Sequence, residues 1–77
     1  MNQIRTKAAD ACISSLEEIK ETVETLRDEA QDRIDNGSEN FLETDKGQEF
    51  QSEVDSLEAA ITSIEEAIES VDAAKNP

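Results

Sequence analysis

Apolar residues recur along the first half of the chain at alternating steps of three and four. The series consists of Ala9, Cys12, Leu16, Ile19, Val23, Leu26 and Ala30. This spacing is typical of the seam of a coiled coil, because it keeps every apolar side chain on one side of a helix. The pattern predicts a first helix over about residues 3–36, ended by Asn36 and Gly37 in the left-handed conformation that stops many helices.

The second half of the chain repeats the same spacing. Its apolar series consists of Phe50, Val54, Leu57, Ile61, Ile64, Ile68 and Val71. Asp45, followed three residues later by Gln48, resembles an N-terminal capping box. The sequence therefore predicts a second helix over about residues 45–74 and a turn over 37–44, in which Phe41 and Leu42 cover the open end of the core.

A connection this short makes neighbouring helices antiparallel. The predicted fold class is therefore all-α, a single domain (residues 1–77) that forms an antiparallel two-helix coiled-coil hairpin. Pairing residues whose numbers add to 80 keeps apolar side chains together and places Leu16 against Ile64. A register shift of three or four would also preserve apolar contacts. In this register Cys12 is expected to be a buried thiol opposite Ile68.

The two flanks of the predicted seam differ in character. On one flank the heptad e positions hold Lys20 and Arg27 on the first helix, and Glu58 and Glu65 on the second. Antiparallel helices bring e positions together, so ion pairs of roughly 0.2 to 1 kcal/mol each are expected there. These pairs would disfavour parallel and mispaired registers.

The other flank carries small, nearly uncharged side chains on both helices. The residues assigned to this flank are Ala8, Ala11, Ser15, Thr22, Ser56, Ala60, Ser63, Ala67, Ser70 and Ala74. Small side chains let another helix approach closely, and a chain of 77 residues buries little apolar surface by itself. The sequence therefore predicts dimerisation into a four-helix bundle through this flank. The alternative is that Ala and Ser are solubilising filler.

Charge is the second feature that bears on function. Twenty acidic residues against seven basic ones give a formal net charge of −13, and the segment from Gln48 to Ala74 contains no Lys or Arg. Such a surface repels nucleic acid and anionic membranes and attracts basic proteins. The acids assigned to a partner-binding face are Asp55, Glu58, Glu65, Glu66, Glu69, Asp72, Glu17, Glu21, Glu24 and Asp28. The alternative is an acidic surface that serves only solubility.

Catalytic and metal chemistry receive little support from the sequence. His, Trp and Tyr are absent, which removes the commonest general base, so no enzyme and no cofactor are predicted. The acids around Glu17 and Glu21 have helical spacing that could hold a cation, but a solvated face is the favoured reading. Ile34 breaks a calcium-loop pattern that would begin at Asp32.

Two functions from different classes remain at this stage. The first is a non-enzymatic protein-binding module whose acidic helices bind a basic surface of a partner protein, as an inhibitor that mimics nucleic acid. The second is a homodimeric assembly or adaptor module that uses the small-residue flank. The single cysteine and the absence of an apolar leader or a membrane-length apolar run predict a cytoplasmic location.

Overall fold

The computed structural model describes residues 2–76, which form three helices. They are α1 (Gln3–Asp35), α2 (Glu39–Leu42) and α3 (Asp45–Lys75). The two long helices pack against each other along a body measuring 58 × 16 × 13 Å, and the short α2 packs on α3. Within residues 2–76, no helix is long and apolar enough to cross a membrane.

Side-chain caps fix where the long helices begin. The Asn2 side chain accepts a hydrogen bond of 2.8 Å from the Arg5 backbone N–H at the start of α1. At the start of α3, the Thr44 hydroxyl accepts a 3.1 Å hydrogen bond from the Gly47 N–H. The cap of α3 is therefore Thr44, and the predicted cap, Asp45, is the first residue of the helix.

The end of α1 differs from the predicted left-handed stop. Asn36 is right-handed, with φ −92° and ψ −3°, and no residue in the described range has a positive φ. Its backbone N–H instead donates to the Asp32 carbonyl at 3.0 Å, and the Gly37 N–H donates to Ile34 at 3.1 Å. Gly37 is needed for space, because a Cβ there would lie 2.5 Å from the Phe41 ring.

The face of α1 that meets α3 is rotated relative to the predicted seam. Its buried and half-buried members include Ala9, Ile13, Leu16, Lys20, Val23, Arg27, Ala30 and Ile34. Ile13 and Ile34 enter the interface, while the aliphatic stems of Lys20 and Arg27 cover it and leave their charges near water. The rotation therefore brings in two isoleucines that the predicted seam left out.

Three members of the predicted seam are consequently displaced from the core. Cys12 is exposed, Ile19 is 50% exposed and Leu26 is 45% exposed. The prediction that Cys12 is buried opposite Ile68 is wrong, because the rotation carries this side of α1 away from α3. The series predicted for α3 stays turned inward, with Val54 and Ile61 buried and the others half-buried.

The two long helices also meet in a different register. Asp10 contacts Lys75 at 2.8 Å and Lys20 contacts Glu65 at 3.7 Å, two pairs whose residue numbers add to 85. The predicted sum of 80 is therefore wrong by about one helical turn, a shift that exchanges one set of apolar neighbours for the next. The contacts run in opposite sequence order, as expected for helices joined by a short connection.

The turn end holds the densest part of the core. Ala30, Ile34 and Val54 are buried together, and Leu42 and Phe50 pack against them. The α2 backbone lies directly over the first turn of α3, because a Cβ on Gly47 would come within 2.7 Å of the Leu42 Cα atom. Glycine at this position therefore permits a close approach of the two backbones.

Candidate protein-interaction surfaces

Five of the ten predicted partner-binding acids converge on one open cleft between α1 and α3. Its volume is about 480 Å³, and it is lined by Glu17, Lys20, Glu21, Glu24, Glu65, Ile68 and Glu69. Lys20 supplies the only positive charge, and its ammonium lies 3.7 Å from Glu65. One cation among five carboxylates leaves the cleft strongly negative, a potential that attracts cationic side chains.

The remaining predicted acids are spread beyond the cleft. Asp55, Glu58 and Glu66 are exposed along α3. Asp28 lies 3.0 Å from the Arg27 guanidinium and Asp72 lies 3.6 Å from the Lys75 ammonium. These last two carboxylates are partly neutralised within the chain, whereas Asp55, Glu58 and Glu66 form no ion pair within residues 2–76.

Arg27 does not make the ion pair predicted for it. Lys20 contacts Glu65 as the e-position argument predicts, but Arg27 hydrogen-bonds the adjacent Asp28 at 3.0 Å rather than a carboxylate of α3. Its stem remains in the interface, where its side chain is 30% exposed. Arg27 therefore contributes to helix packing mainly through its methylene groups.

A second surface of the helix pair is apolar and nearly uncharged. It joins the predicted small-residue flank to the large side chains that the rotation of α1 exposes, and we refer to it as the apolar face. Its α1 members are Ile4, Ala8, Ala11, Cys12, Ser15, Ile19, Thr22 and Leu26, and its α3 members are Ser56, Ala60, Ser63, Ala67, Ser70 and Ala74. Ala60 and Ala67 are half-buried, and the others are exposed.

The acidic cleft and the apolar face lie on opposite sides of the helix pair. Each residue advances about 100° around a helix, so Glu17 is about 200° from Ser15, and Glu69 is about 200° from Ala67. Leu26 also shares a groove with Glu53, on the edge of the interface away from Lys20. The two surfaces can therefore be occupied independently.

The sequence pattern did not predict that large hydrophobic residues belong to the apolar face. Ile4, Ile19 and Leu26 are the exposed large hydrophobic residues of the described chain, and Ile4 is 81% exposed. The three-and-four spacing of apolar residues places Ile19 and Leu26 in the predicted seam. One signal in the sequence could have identified them. The predicted seam leaves Ile13 and Ile34 outside the core, and a seam that includes these two isoleucines turns Ile19 and Leu26 outward.

At the end of the molecule away from the turn, Lys75 ties the two long helices together. Its ammonium donates a 2.8 Å hydrogen bond to Asp10 and lies near Asp72. The hydrogen bond that Lys75 donates to Asp10 is the main reason that the pKa of Lys75 is raised above 10.5. Partial desolvation opposes the shift, and the negative charges of Asp10 and Asp72 add to it. Lys75 thus remains charged throughout the neutral pH range.

The turn end carries both phenylalanines of the chain and two of its seven basic residues, Arg33 and Lys46. The Phe41 and Phe50 ring centroids are 6.2 Å apart, and the Arg33 guanidinium lies 5.4 Å from the Phe50 centroid. Lys46 lies 6.0 Å from the same ring. These cation–π contacts place positive charge over the aromatic pair and give this end a character unlike the acidic cleft.

No cluster of His, Cys, Asp or Glu in residues 2–76 has the geometry to hold a metal ion. Comparison with protein-family models, curated proteins and solved structures gives no match. A functional interpretation must therefore rest on the two surfaces themselves.

Proposed function

We propose that this protein is a non-enzymatic binding module whose acidic face occupies a basic surface on a partner protein, as an inhibitor that mimics nucleic acid. The observation that supports this proposal is the cleft in which Glu17, Glu21, Glu24, Glu65 and Glu69 surround a single lysine. The formal net charge of −13 reflects acids along the whole rod, and these add an electrostatic attraction for basic surfaces that salt screens.

The charge density of the rod supports a nucleic-acid-like role. Eight carboxylates and no Lys or Arg lie between Gln48 and Ala74, a stretch of roughly 40 Å of helix. Duplex DNA carries about one charge per 1.7 Å of axis, so α3 alone presents about a third of that density. The acids of α1 that face the same cleft raise it further.

A salt series with charge-neutralising variants tests this function. The immobilised protein is used to capture proteins from a lysate at about 50 mM salt, and bound proteins are eluted with duplex DNA or with salt up to about 500 mM. The expected partners are basic, elute with duplex DNA and are lost from the variant Glu17→Gln/Glu21→Gln/Glu69→Gln.

The matched control changes the same number of acids away from the cleft, in Asp45→Asn/Glu49→Gln/Glu53→Gln. Both variants carry the same net charge, so a response of the cleft variant alone identifies the cleft as the binding surface. Capture that survives about 500 mM salt and is equal for both variants would refute the acidic-face function.

Self-association is a second candidate function, favoured by a different observation. Ile4, Ile19 and Leu26 are exposed on the apolar face, where they extend the small-residue flank that predicts a dimer. In this function an antiparallel coiled-coil hairpin dimerises into a four-helix bundle and serves as an assembly or adaptor module. Light scattering of the intact chain measures the mass directly, and a monomer at ~1 mM would exclude this function.

A further inference from the structure

We infer that two copies of this chain pack through the apolar face, with α1 antiparallel to α1 of the second copy about a two-fold axis at Ser15. The inference rests on the self-association proposed above and specifies its surface, direction and register. Isologous pairing of this kind closes at two copies, because each copy presents the same patch to the other.

Coverage of the exposed apolar residues selects the register. When paired residue numbers add to 30, Ile4 of each copy lies beside Leu26 of the other, and Ile19 lies beside Ala11. All three large exposed side chains are then covered in one contact. The neighbouring register centred on Ile19 would leave Ile4 opposite Ile34, which is buried against α3.

Charge supports the same register. The first turn of α1 contains no acid, and Arg5 has no ion pair within residues 2–76. With numbers adding to 30, Arg5 is level with Thr25 of the second copy, and the exposed Glu29 of that copy is about one turn away along its α1. The register centred on Ile19 would instead bring Arg5 beside Arg33, so like charges would meet.

The second helix adds a neutral surface at the same level. Since facing residues of α1 and α3 have numbers that add to 85, Ser70 lies level with Ser15. The overlap on α3 thus includes Ser63, Ala67 and Ala74, which carry no charge. On α3, Glu53 lies nearer the turn and outside the overlap, whereas on α1 the exposed Glu18, one heptad after Ala11, borders the face within it.

The overlap is large enough for a specific dimer. From Ile4 to Leu26, α1 contributes about 35 Å of helix with a width of roughly 10 Å, and α3 contributes a shorter parallel strip. Together they supply roughly the 600 Å² per copy found at the lower end of stable interfaces. A second copy of this chain fits the face in area, in apolar character and in charge.

Cysteine placement at the two-fold axis tests the register. In a Cys12→Ser background, Ser15→Cys places two thiols against each other across the axis, and mild oxidation is expected to yield a covalent dimer. Ser14→Cys in the same background is the matched control, because Ser14 is exposed and lies about 100° around α1, away from the partner. It is expected to remain monomeric on denaturing gels.

A second variant tests the face without cross-linking. Ile19→Glu is expected to weaken dimerisation at least about tenfold, while circular dichroism shows unchanged helicity because Ile19 is half-exposed within one chain. Its capture of basic proteins through the acidic cleft is expected to be unchanged.

The possible failures are distinguishable. A wild type that stays monomeric to ~1 mM overturns both self-association and this inference. A dimeric wild type in which Ser14→Cys cross-links as readily as Ser15→Cys, or in which neither cross-links, overturns the register and the two-fold axis alone. Loss of basic-protein capture in the cleft variant or its persistence bears only on the acidic face.

Discussion

Gly47 permits a close approach of the α2 backbone to the first turn of α3. It stands in the first turn of α3 beneath α2, where a Cβ would lie 2.7 Å from the Leu42 Cα atom. Moving the α2 backbone away from α3 would disturb the buried cluster of Ala30, Ile34 and Val54, because Leu42 of α2 packs against that cluster. A glycine that lowers helix propensity in isolation is therefore required by the tertiary structure.

We predict that Gly47→Ala destabilises the protein despite the better helix propensity of alanine. The propensity gain is about 1 kcal/mol, whereas overpacking against rigid neighbours costs about 1–3 kcal/mol or more. Urea unfolding should therefore show a net loss for Gly47→Ala. Gln48→Ala, one residue later and exposed, is the control and should be neutral or slightly stabilising. A more stable Gly47→Ala would contradict the observed approach of α2.

The Asp10–Lys75 contact has a defined pH dependence. The folded protein raises the pKa of Lys75 above 10.5, chiefly through its hydrogen bond to Asp10. The stability from this contact is therefore fully present below the unfolded pKa and is lost as pH rises through the folded pKa. We expect Asp10→Asn to be less stable than the wild type at pH 7, and this difference to shrink as pH rises through the raised pKa of Lys75.

The measurement is urea unfolding of both proteins across this range. Comparison with the wild type at each pH removes the shared contribution of the other lysines. An equal difference at both ends of the range would mean that the contact does not depend on the charge of Lys75.

At the scale of elements, spacing alone predicted two long helices and came within a residue of their ends. It could not predict how far α1 is turned about its own axis. Ala9, Leu16, Val23 and Ala30 belong to both possible seams, and the flanking choices are Cys12, Ile19 and Leu26 or Ile13, Lys20, Arg27 and Ile34. Counting apolar residues favours the first set, but the stems of Lys and Arg can cover a seam as well.

A matched pair of isoleucines tests this rotation. Ile61 is 7% exposed and Ile19 is 50% exposed, so truncation should have very different effects in the single chain. We expect Ile61→Ala to cost about 2–5 kcal/mol and Ile19→Ala less than about 1 kcal/mol, when unfolding is measured at concentrations too low for dimerisation. An equal loss of unfolding free energy in the two variants would support the predicted seam, in which Ile19 is buried.

The acidic candidate site, like the helix pair, could be predicted from the sequence in its residues but not in its arrangement. The acidic residues of the cleft are recognisable from the density of acids along the sequence. Their grouping into one cleft depends on which residues of α1 face α3. Glu24 is half-buried beside the seam, whereas Asp28 is engaged by Arg27. Such local pairing depends on side-chain rotamers and cannot be read from heptad positions.

At the scale of the whole molecule, the two proposed interactions respond to salt in opposite directions. Binding of a basic partner loses attraction as salt screens it. Dimerisation brings together two chains of formal charge −13 through an apolar face, so screening removes repulsion and leaves the apolar contact in place.

We therefore predict that raising salt from about 50 to about 500 mM weakens basic-protein capture and strengthens the dimer. Sedimentation velocity across the same salt series measures the dimer fraction. Arg5→Gln should weaken the dimer most at low salt, where its attraction to the acids of the second copy is least screened. A dimer that dissociates with rising salt would show that ion pairs, rather than the apolar face, hold it together.

The elongated shape determines how far the charges of the molecule act on one another in salt solution. The body is 58 Å long, and the Debye length at physiological ionic strength is about 8 Å. The charges of the aromatic turn end and those of the tip where Lys75 meets Asp10 are therefore screened from one another by the intervening salt solution. An approaching molecule experiences a succession of local fields along the rod rather than the total charge of the chain.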